Sequence, residues 1–156
     1  HQPTASRKLK RGDMVLIDMG VKYNGYCADL TRTFFTNAPS SRQEKIYNLV
    51  LEAQKKAIAF AKPRTPAKKL YDAVYDHFGD LSDHFTHGLG HGVGLEIHEL
   101  PNLKPLSKDI LKPGHVITIE PGLYFNWGGV RIEDVVVINK KGRANLTKSS
   151  KKIMVL

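Results

Sequence analysis

Leu9-Lys10-Arg11-Gly12-Asp13-Met14-Val15-Leu16-Ile17-Asp18, near the start of the chain, aligns with a much later stretch, Leu111-Lys112-Pro113-Gly114-His115-Val116-Ile117-Thr118-Ile119-Glu120. Each copy is a glycine-containing turn, then an apolar strand, then a carboxylate. Each is followed by a return strand carrying a second carboxylate, Asp29 in the first copy and Glu133 in the second. A repeat of this kind predicts a pseudo-symmetric pair of hairpins.

The residues between the copies read as helices. Ser41-Arg42-Gln43-Glu44 supplies a capping box, and Ile46, Leu49, Val50, Ala53, Ala57 and Phe60 follow at helical spacing, predicting a helix of about five turns. Thr65 as N-cap, Pro66 at the first helical position, the stripe Leu70, Ala73, Val74 and His77, and Gly79 as the stop predict a second helix. Strands are predicted at Met14 to Asp18 and Tyr26 to Phe35, around the two-residue turn Asn24-Gly25, and at Val116 to Phe125 and Val130 to Ile138. Ile153 to Leu156 is placed to close a sheet edge. The fold class expected is α+β, with helices on one side of an antiparallel sheet.

Composition is consistent with one globular domain: 156 residues, 41% hydrophobic and 25% charged. The sequence has no apolar run of about 18 residues, and His1-Gln2-Pro3-Thr4 is not the start of a signal peptide, so no membrane partner is expected. The single cysteine, Cys27, suits a reducing compartment, and a cytoplasmic location is expected. The net charge of +9 raises nucleic-acid binding as a question. The lysines are scattered in pairs (Lys55-Lys56, Lys68-Lys69, Lys140-Lys141, Lys151-Lys152) without interleaved aromatics, which argues for a solvated surface instead.

The acids carry the chemistry. With a two-residue turn at Asn24-Gly25, Tyr23 pairs with Tyr26 and Gly20 with Asp29, so Asp18 and Asp29 project from one face as diagonal neighbours. The same parity relates Glu120 and Glu133 if the loop near Trp127-Gly128-Gly129 is even-numbered and Pro121-Gly122 adds no bulge. Any one of these acids could face water. Four on strands as apolar as Val15-Leu16-Ile17 and Val116-Ile117-Thr118-Ile119 should be buried together, and buried carboxylates side by side are costly without a cation. His87, His91 and His98 lie in the glycine-rich segment from His87 to Glu99, where alternate glycines let the backbone approach an ion or substrate. That segment has no Lys-Ser or Lys-Thr for a phosphate loop. His98-Glu99-Leu100-Pro101-Asn102 has no second histidine for a zinc-protease helix.

Four segments together resemble the pita-bread metallopeptidases, the group that includes methionine aminopeptidase, aminopeptidase P and prolidase. They are Leu16 to Gly20, Ala28 to Phe34, His87 to Glu99, and Thr118 to Tyr124 with Gly129 to Asp134. The resemblance implies five metal ligands, Asp18, Asp29, His91, Glu120 and Glu133, with Asp29 and Glu133 bridging two divalent ions. A set of four carboxylates and one imidazole suits Mn²⁺ first, with Co²⁺, Fe²⁺ or Zn²⁺ as alternatives. It further implies hydrolysis of Xaa-Pro bonds by a metal-bridging hydroxide, with Glu120 shuttling the proton and with His98 and His1 hydrogen-bonding the substrate. His87, Tyr124 and Arg131 resemble the proline-specific branch and would lie on the proline side, with proline-containing peptides as partners. Residues 1–156 would be the C-terminal part of the catalytic domain, the upstream portion being missing, and a homodimer is kept open. The alternatives are a methionine aminopeptidase and a catalytically silent binding module on the same fold. Dipeptidase and aminopeptidase action are not separated by these residues.

Overall fold

The computed structural model describes residues 6–156, so the reading of His1 lies outside the described residues. The element order is β1 (Met14–Tyr23), β2 (Tyr26–Phe35), α1 (Ser41–Phe60), α2 (Ala67–Phe78), a 3₁₀ turn (Gly79–His84), β3 (Gly90–Gly92), β4 (Glu99–Leu103), β5 (Val116–Ile119), β6 (Gly122–Phe125), β7 (Gly128–Arg131), β8 (Asp134–Asn139) and β9 (Gly142–Asn145). Strands β4-β3-β5-β8-β9 form one sheet, while β1-β2 and β6-β7 form two-stranded sheets.

The first hairpin follows its turn. Asn24 and Gly25 both take positive φ, 48° and 85°, as a type I′ turn requires. The register pairs Tyr23 with Tyr26 and Gly20 with Asp29, as the sequence predicts. The second hairpin is one long antiparallel pair interrupted at the acids. Ile119 pairs with Asp134 and Gly122 with Arg131, so no residue is inserted at Pro121-Gly122 and Glu120 falls opposite Glu133. At the interruption both glutamates turn their backbone amides elsewhere: Glu120 N–H donates to the Leu89 carbonyl at 2.9 Å and Glu133 N–H to the Thr31 carbonyl at 3.1 Å. This bend delivers both side chains to the first hairpin.

Helix α1 is capped one residue earlier than expected. Ser40, not Ser41, accepts from the Gln43 amide, and the Gln43 side chain returns to the Ser40 backbone. Ile46, Tyr47, Val50, Ala53 and Ala57 bury one face of the helix. At α2, Pro66 rather than Thr65 occupies the N-cap, with no side-chain cap, and the Thr65 hydroxyl bonds back to the Phe60 carbonyl. Both helices join β4 to β8 in one core that includes Leu70, Leu103, Ile117, Ile119, Leu123 and Ile132. The C-terminal residues close an edge: Val155 forms a parallel bridge with Phe35, and Phe35 N–H donates to the Met154 carbonyl.

The expectation that both apolar strands are buried needs correction for the first copy. Ile117, Thr118 and Ile119 are buried, but Val15, Leu16 and Ile17 are half-buried and Tyr23 is 76% exposed. The physical reason is topological, since β5 has strands on both sides whereas β1 pairs only with β2.

Candidate metal centre

The first hairpin, the bent second hairpin and the β3 segment converge on a cavity of about 700 Å³, walled by Asp18, Asp29, His91, His98, Glu120 and Glu133, with His87 further along. Within it, ligand atoms of Asp29, His91 and Glu133 lie within 4.8 Å of one another, an arrangement able to hold a metal ion. His91 Nε2 is 3.3 Å from Glu120 Oε1 and 3.8 Å from Asp29 Oδ2.

The position of His91 follows from glycine. Gly90 pairs into the sheet so closely that a Cβ there would overlap the Thr118 carbonyl. His91 N–H then donates to Thr118 Oγ1 at 3.0 Å, and Thr118 Oγ1 donates to Glu120 Oε1 at 3.0 Å. The His91 Nδ1 sits 2.9 Å from the Gly92 carbonyl, which can only accept, so Nδ1 carries a proton and Nε2 is the atom facing the carboxylates. A neutral imidazole lone pair aimed at two carboxylate oxygens is repulsive unless a cation lies between them or the ring is protonated. Burial pulls the His91 pKa down, but the hydrogen bonds to Glu120 and Gly92 and the charges of Glu120 and Asp29 push it up overall.

Glu133 is the most confined of the four cavity acids, 1% exposed. Its Oε2 accepts from the Thr31 hydroxyl at 2.6 Å, while Oε1 is buried with no hydrogen-bond partner. Burial, then the negative charges of Glu120, Asp29 and Asp18, raise its pKa to about 8. Burial and the Asp18 charge raise that of Asp29 as well. An orphaned buried carboxylate oxygen, a second acid forced toward its protonated form and an imidazole nitrogen 3.8 Å from that second acid constitute a site short of positive charge. The residues present therefore fit a divalent cation.

Asp18 shares the cavity wall but is held from behind. Arg131 Nη2 donates to Asp18 Oδ2, Nη1 to the Tyr124 hydroxyl at 2.8 Å, and Nε to the Thr31 hydroxyl at 3.2 Å. Arg131 is 2% exposed and, like Tyr124, lies behind the cavity wall. The Tyr124 hydroxyl is 2.8 Å from His87 Nε2, and His87 Nδ1 is 2.7 Å from the Gly88 carbonyl. One direction of donation satisfies the whole chain: Arg131 to Tyr124, Tyr124 to His87, His87 to Gly88. It requires a neutral His87, whose pKa burial indeed lowers. The Arg131 charge does not serve Asp134, which accepts from Arg32 and Lys151 instead. His98 is exposed, with its ring 4.3 Å from that of His91 in an edge arrangement.

Residues 1–140 match the metallopeptidase family M24. The chain belongs to this family. It is 45% identical over 99% of its length to a Xaa-Pro dipeptidase of Pyrococcus furiosus, of which the match covers 45%. Among solved structures, the prolidase of Pyrococcus horikoshii OT3 superposes with a TM-score of 0.93 at 44% identity, covering 96% of this chain and 44% of that one. The X-Pro aminopeptidase of Thermotoga maritima superposes with a TM-score of 0.96 at 35% identity, covering all of this chain and 45% of that one. The fold is thus the α+β pita-bread fold, and the chain spans a little under half the length of the relatives it matches. Membership in M24 implies divalent metal ions, in agreement with the charge deficit of the site. Among the described residues no helix is long and apolar enough to cross a membrane.

Four supporting residues went unread in the sequence. Thr31, Thr33 and Thr118 are buried hydroxyls beside the acids, and Arg32 is a buried cation. Period two carried a signal for the threonines, because Thr31 and Thr33 share the face of Asp29 and Thr118 that of Glu120.

Proposed function

We propose that residues 1–156 are the C-terminal part of the catalytic domain of a dinuclear metallopeptidase that hydrolyses Xaa-Pro peptide bonds. The observation that carries this reading is the buried, unpartnered Glu133 Oε1 in a group with Asp29 and His91 whose ligand atoms lie within 4.8 Å of one another, inside a wall of four carboxylates. Asp18, Asp29, His91, Glu120 and Glu133 would hold two ions, Mn²⁺ by preference for an oxygen-rich set with one imidazole. Bound there, the ions would supply Lewis acidity and hydroxide at neutral pH.

The chain's own residues would do the rest. Glu120, supported by the Thr118 hydroxyl, would accept and return the proton of the attacking water. His98, exposed on the wall beside His91, would donate to the substrate carbonyl, a donor worth about 2.7–4 kcal/mol to a developing oxyanion. His1 would be a second donor. His87, held neutral and oriented by Tyr124 and Gly88, would face the residue after the scissile bond. Proline there offers no N–H, so shape and downstream contacts must discriminate it. Arg131 would hold Asp18 and Tyr124 in place from behind the cavity wall. Proline-containing peptides are the substrates this reading names, and a reducing cytoplasm is the compartment that the single cysteine favours.

Turnover of Ala-Pro, Arg-Pro-Pro and Met-Ala-Ser by manganese-loaded protein tests the reading. Cleavage confined to the Xaa-Pro peptides supports it. Preference for Met-Ala-Ser would make the chain a methionine aminopeptidase. Metal uptake without turnover of any peptide would make it a silent module, and absence of bound metal would remove the centre altogether. Cleavage of Ala-Pro but not Arg-Pro-Pro would mark a dipeptidase.

A further inference from the structure

Behind the acidic cavity, on the opposite face of β2, lies a second charged cluster built on the buried Arg32 and Asp134. Arg32 is 4% exposed, and its guanidinium makes five hydrogen bonds. Nε donates to the Ser150 carbonyl at 3.0 Å and Nη2 to Asp134 Oδ1 at 2.7 Å and the Ser149 carbonyl at 3.1 Å. Nη1 donates to the Thr31 carbonyl at 2.9 Å and to the Glu133 carbonyl at 2.5 Å. A guanidinium has five N–H groups in a fixed plane, so this environment matches the whole donor set.

Two of those acceptors lie at the junction of the hairpins. The Thr31 carbonyl also receives the Glu133 amide at 3.1 Å, the backbone link between the first hairpin and the second. The Thr31 hydroxyl reaches the Glu133 carboxylate from the other side of the strand. Arg32 therefore grips the carbonyls of the same two residues whose side chains hydrogen-bond to each other beside the cavity. Asp134, the residue after Glu133, is fixed by Arg32, by Lys151 Nζ at 2.6 Å and by Asn145. The clamp is anchored through Lys151 to Gln54 of α1.

We propose that Arg32 is a positioning residue for the metal centre: by clamping the Thr31 and Glu133 carbonyls it sets the separation of the two acidic hairpins, and so the gap that Asp29 and Glu133 present to the ions. The inference takes the metal centre proposed above as given. Arg32 touches neither the cavity nor any ligand side chain, and acts through the backbone at Glu133. A lysine at this position keeps the charge beside Asp134 but offers three donors without a planar fork, so both junction carbonyls cannot be held together with Asp134 and the C-terminal carbonyls.

The test uses the full chain stripped of metal, as wild type, Arg32→Lys and Arg32→Ala, each at a temperature where circular dichroism shows it folded. Titration with Mn²⁺ by calorimetry gives affinity, and titration with Co²⁺ followed by visible absorption reports ligand geometry. Both variants are expected to bind Mn²⁺ at least about tenfold more weakly and to show an altered cobalt spectrum. Guanidinium ion at sub-denaturing concentration should restore the Arg32→Ala spectrum towards wild type. A folded Arg32→Lys protein with wild-type affinity and cobalt spectrum overturns the proposal, as does failure of both variants to fold, which would assign Arg32 to stability alone. A wild-type chain that takes up no ion overturns the metal centre itself, and the clamp with it.

Discussion

Glu133→Gln is expected to stabilise the metal-free chain in alkaline solution while abolishing its response to metal. The Glu133 carboxyl is raised from 4.5 to about 8, first by burial and then by the charge of Glu120. The native state therefore holds this proton more tightly than the unfolded chain does. For an acid shifted upward there is no penalty below the unfolded value, and the penalty grows as pH climbs from 4.5 to about 8. At about 1.4 kcal/mol for each tenfold change in proton affinity, the full window costs the folded chain roughly 5 kcal/mol. Glutamine removes that penalty and still accepts from the Thr31 hydroxyl, but it places an amide where Oε1 has no partner, at a cost of about 1–3 kcal/mol. The net gain is about 2–4 kcal/mol, or roughly 5–15 °C in Tm for a chain of this size. Melting followed by circular dichroism in chelator, from about pH 5 to about pH 9, reads it directly. Wild type should lose stability more steeply than the variant as pH rises, and the two curves should cross towards the acid end, where only the cost of the unpartnered amide remains. Added Mn²⁺ should then raise the Tm of wild type alone. A variant no more stable than wild type at alkaline pH, or a difference between them that does not change with pH, refutes the reasoning.

Asp29→Asn should reduce bound manganese from two ions to one or none by elemental analysis, whereas Asp72→Asn, on the exposed ion pair with Lys68, should leave it unchanged; equal losses would contradict the site. Arg131→Ala should lower kcat/KM on Xaa-Pro peptides at least tenfold, about 1.4 kcal/mol, because Asp18, Tyr124 and Thr31 lose one shared donor; a lowered Tm with unchanged turnover would reduce Arg131 to a scaffold residue. Gly90→Ala should cost about 1–3 kcal/mol or prevent folding, since the added methyl meets the Thr118 carbonyl; a wild-type urea midpoint would show that β3 can move aside.

The first hairpin was legible down to its register because its determinant is local. Asn24 and Gly25 impose positive φ, the turn fixes Tyr23 opposite Tyr26, and alternation carries Asp18 and Asp29 to one face. The second hairpin was legible in parity, while its bend was not, because the bend depends on Leu89 and Thr31 accepting the glutamate amides. The helix starts were misplaced by one residue for chemical reasons: Ser40 and Ser41 are alternative caps, and the proline at 66 can itself stand at the cap position. The half-buried β1 misled because apolar content shows what a strand would bury, not whether another element covers it. Arg32 escaped notice because its acceptors at Glu133, Asp134, Ser149 and Ser150 lie about a hundred positions away in sequence.

That separation also bears on how the chain folds. Thr31 and Glu133, the pair that joins the hairpins, are 102 positions apart. Each hairpin can form from its own turn within microseconds, but bringing them together closes a loop that spans most of the chain. The cavity is thus a product of strongly non-local contacts, and no half of the chain contains it. A cation that binds there recognises only the completed topology and has nothing comparable to grip on the way. Its stabilisation should appear in the unfolding rate, with refolding left almost unchanged. The repeated hairpin then behaves like a two-part latch, in which the ion holds the parts closed once chain diffusion has brought them together.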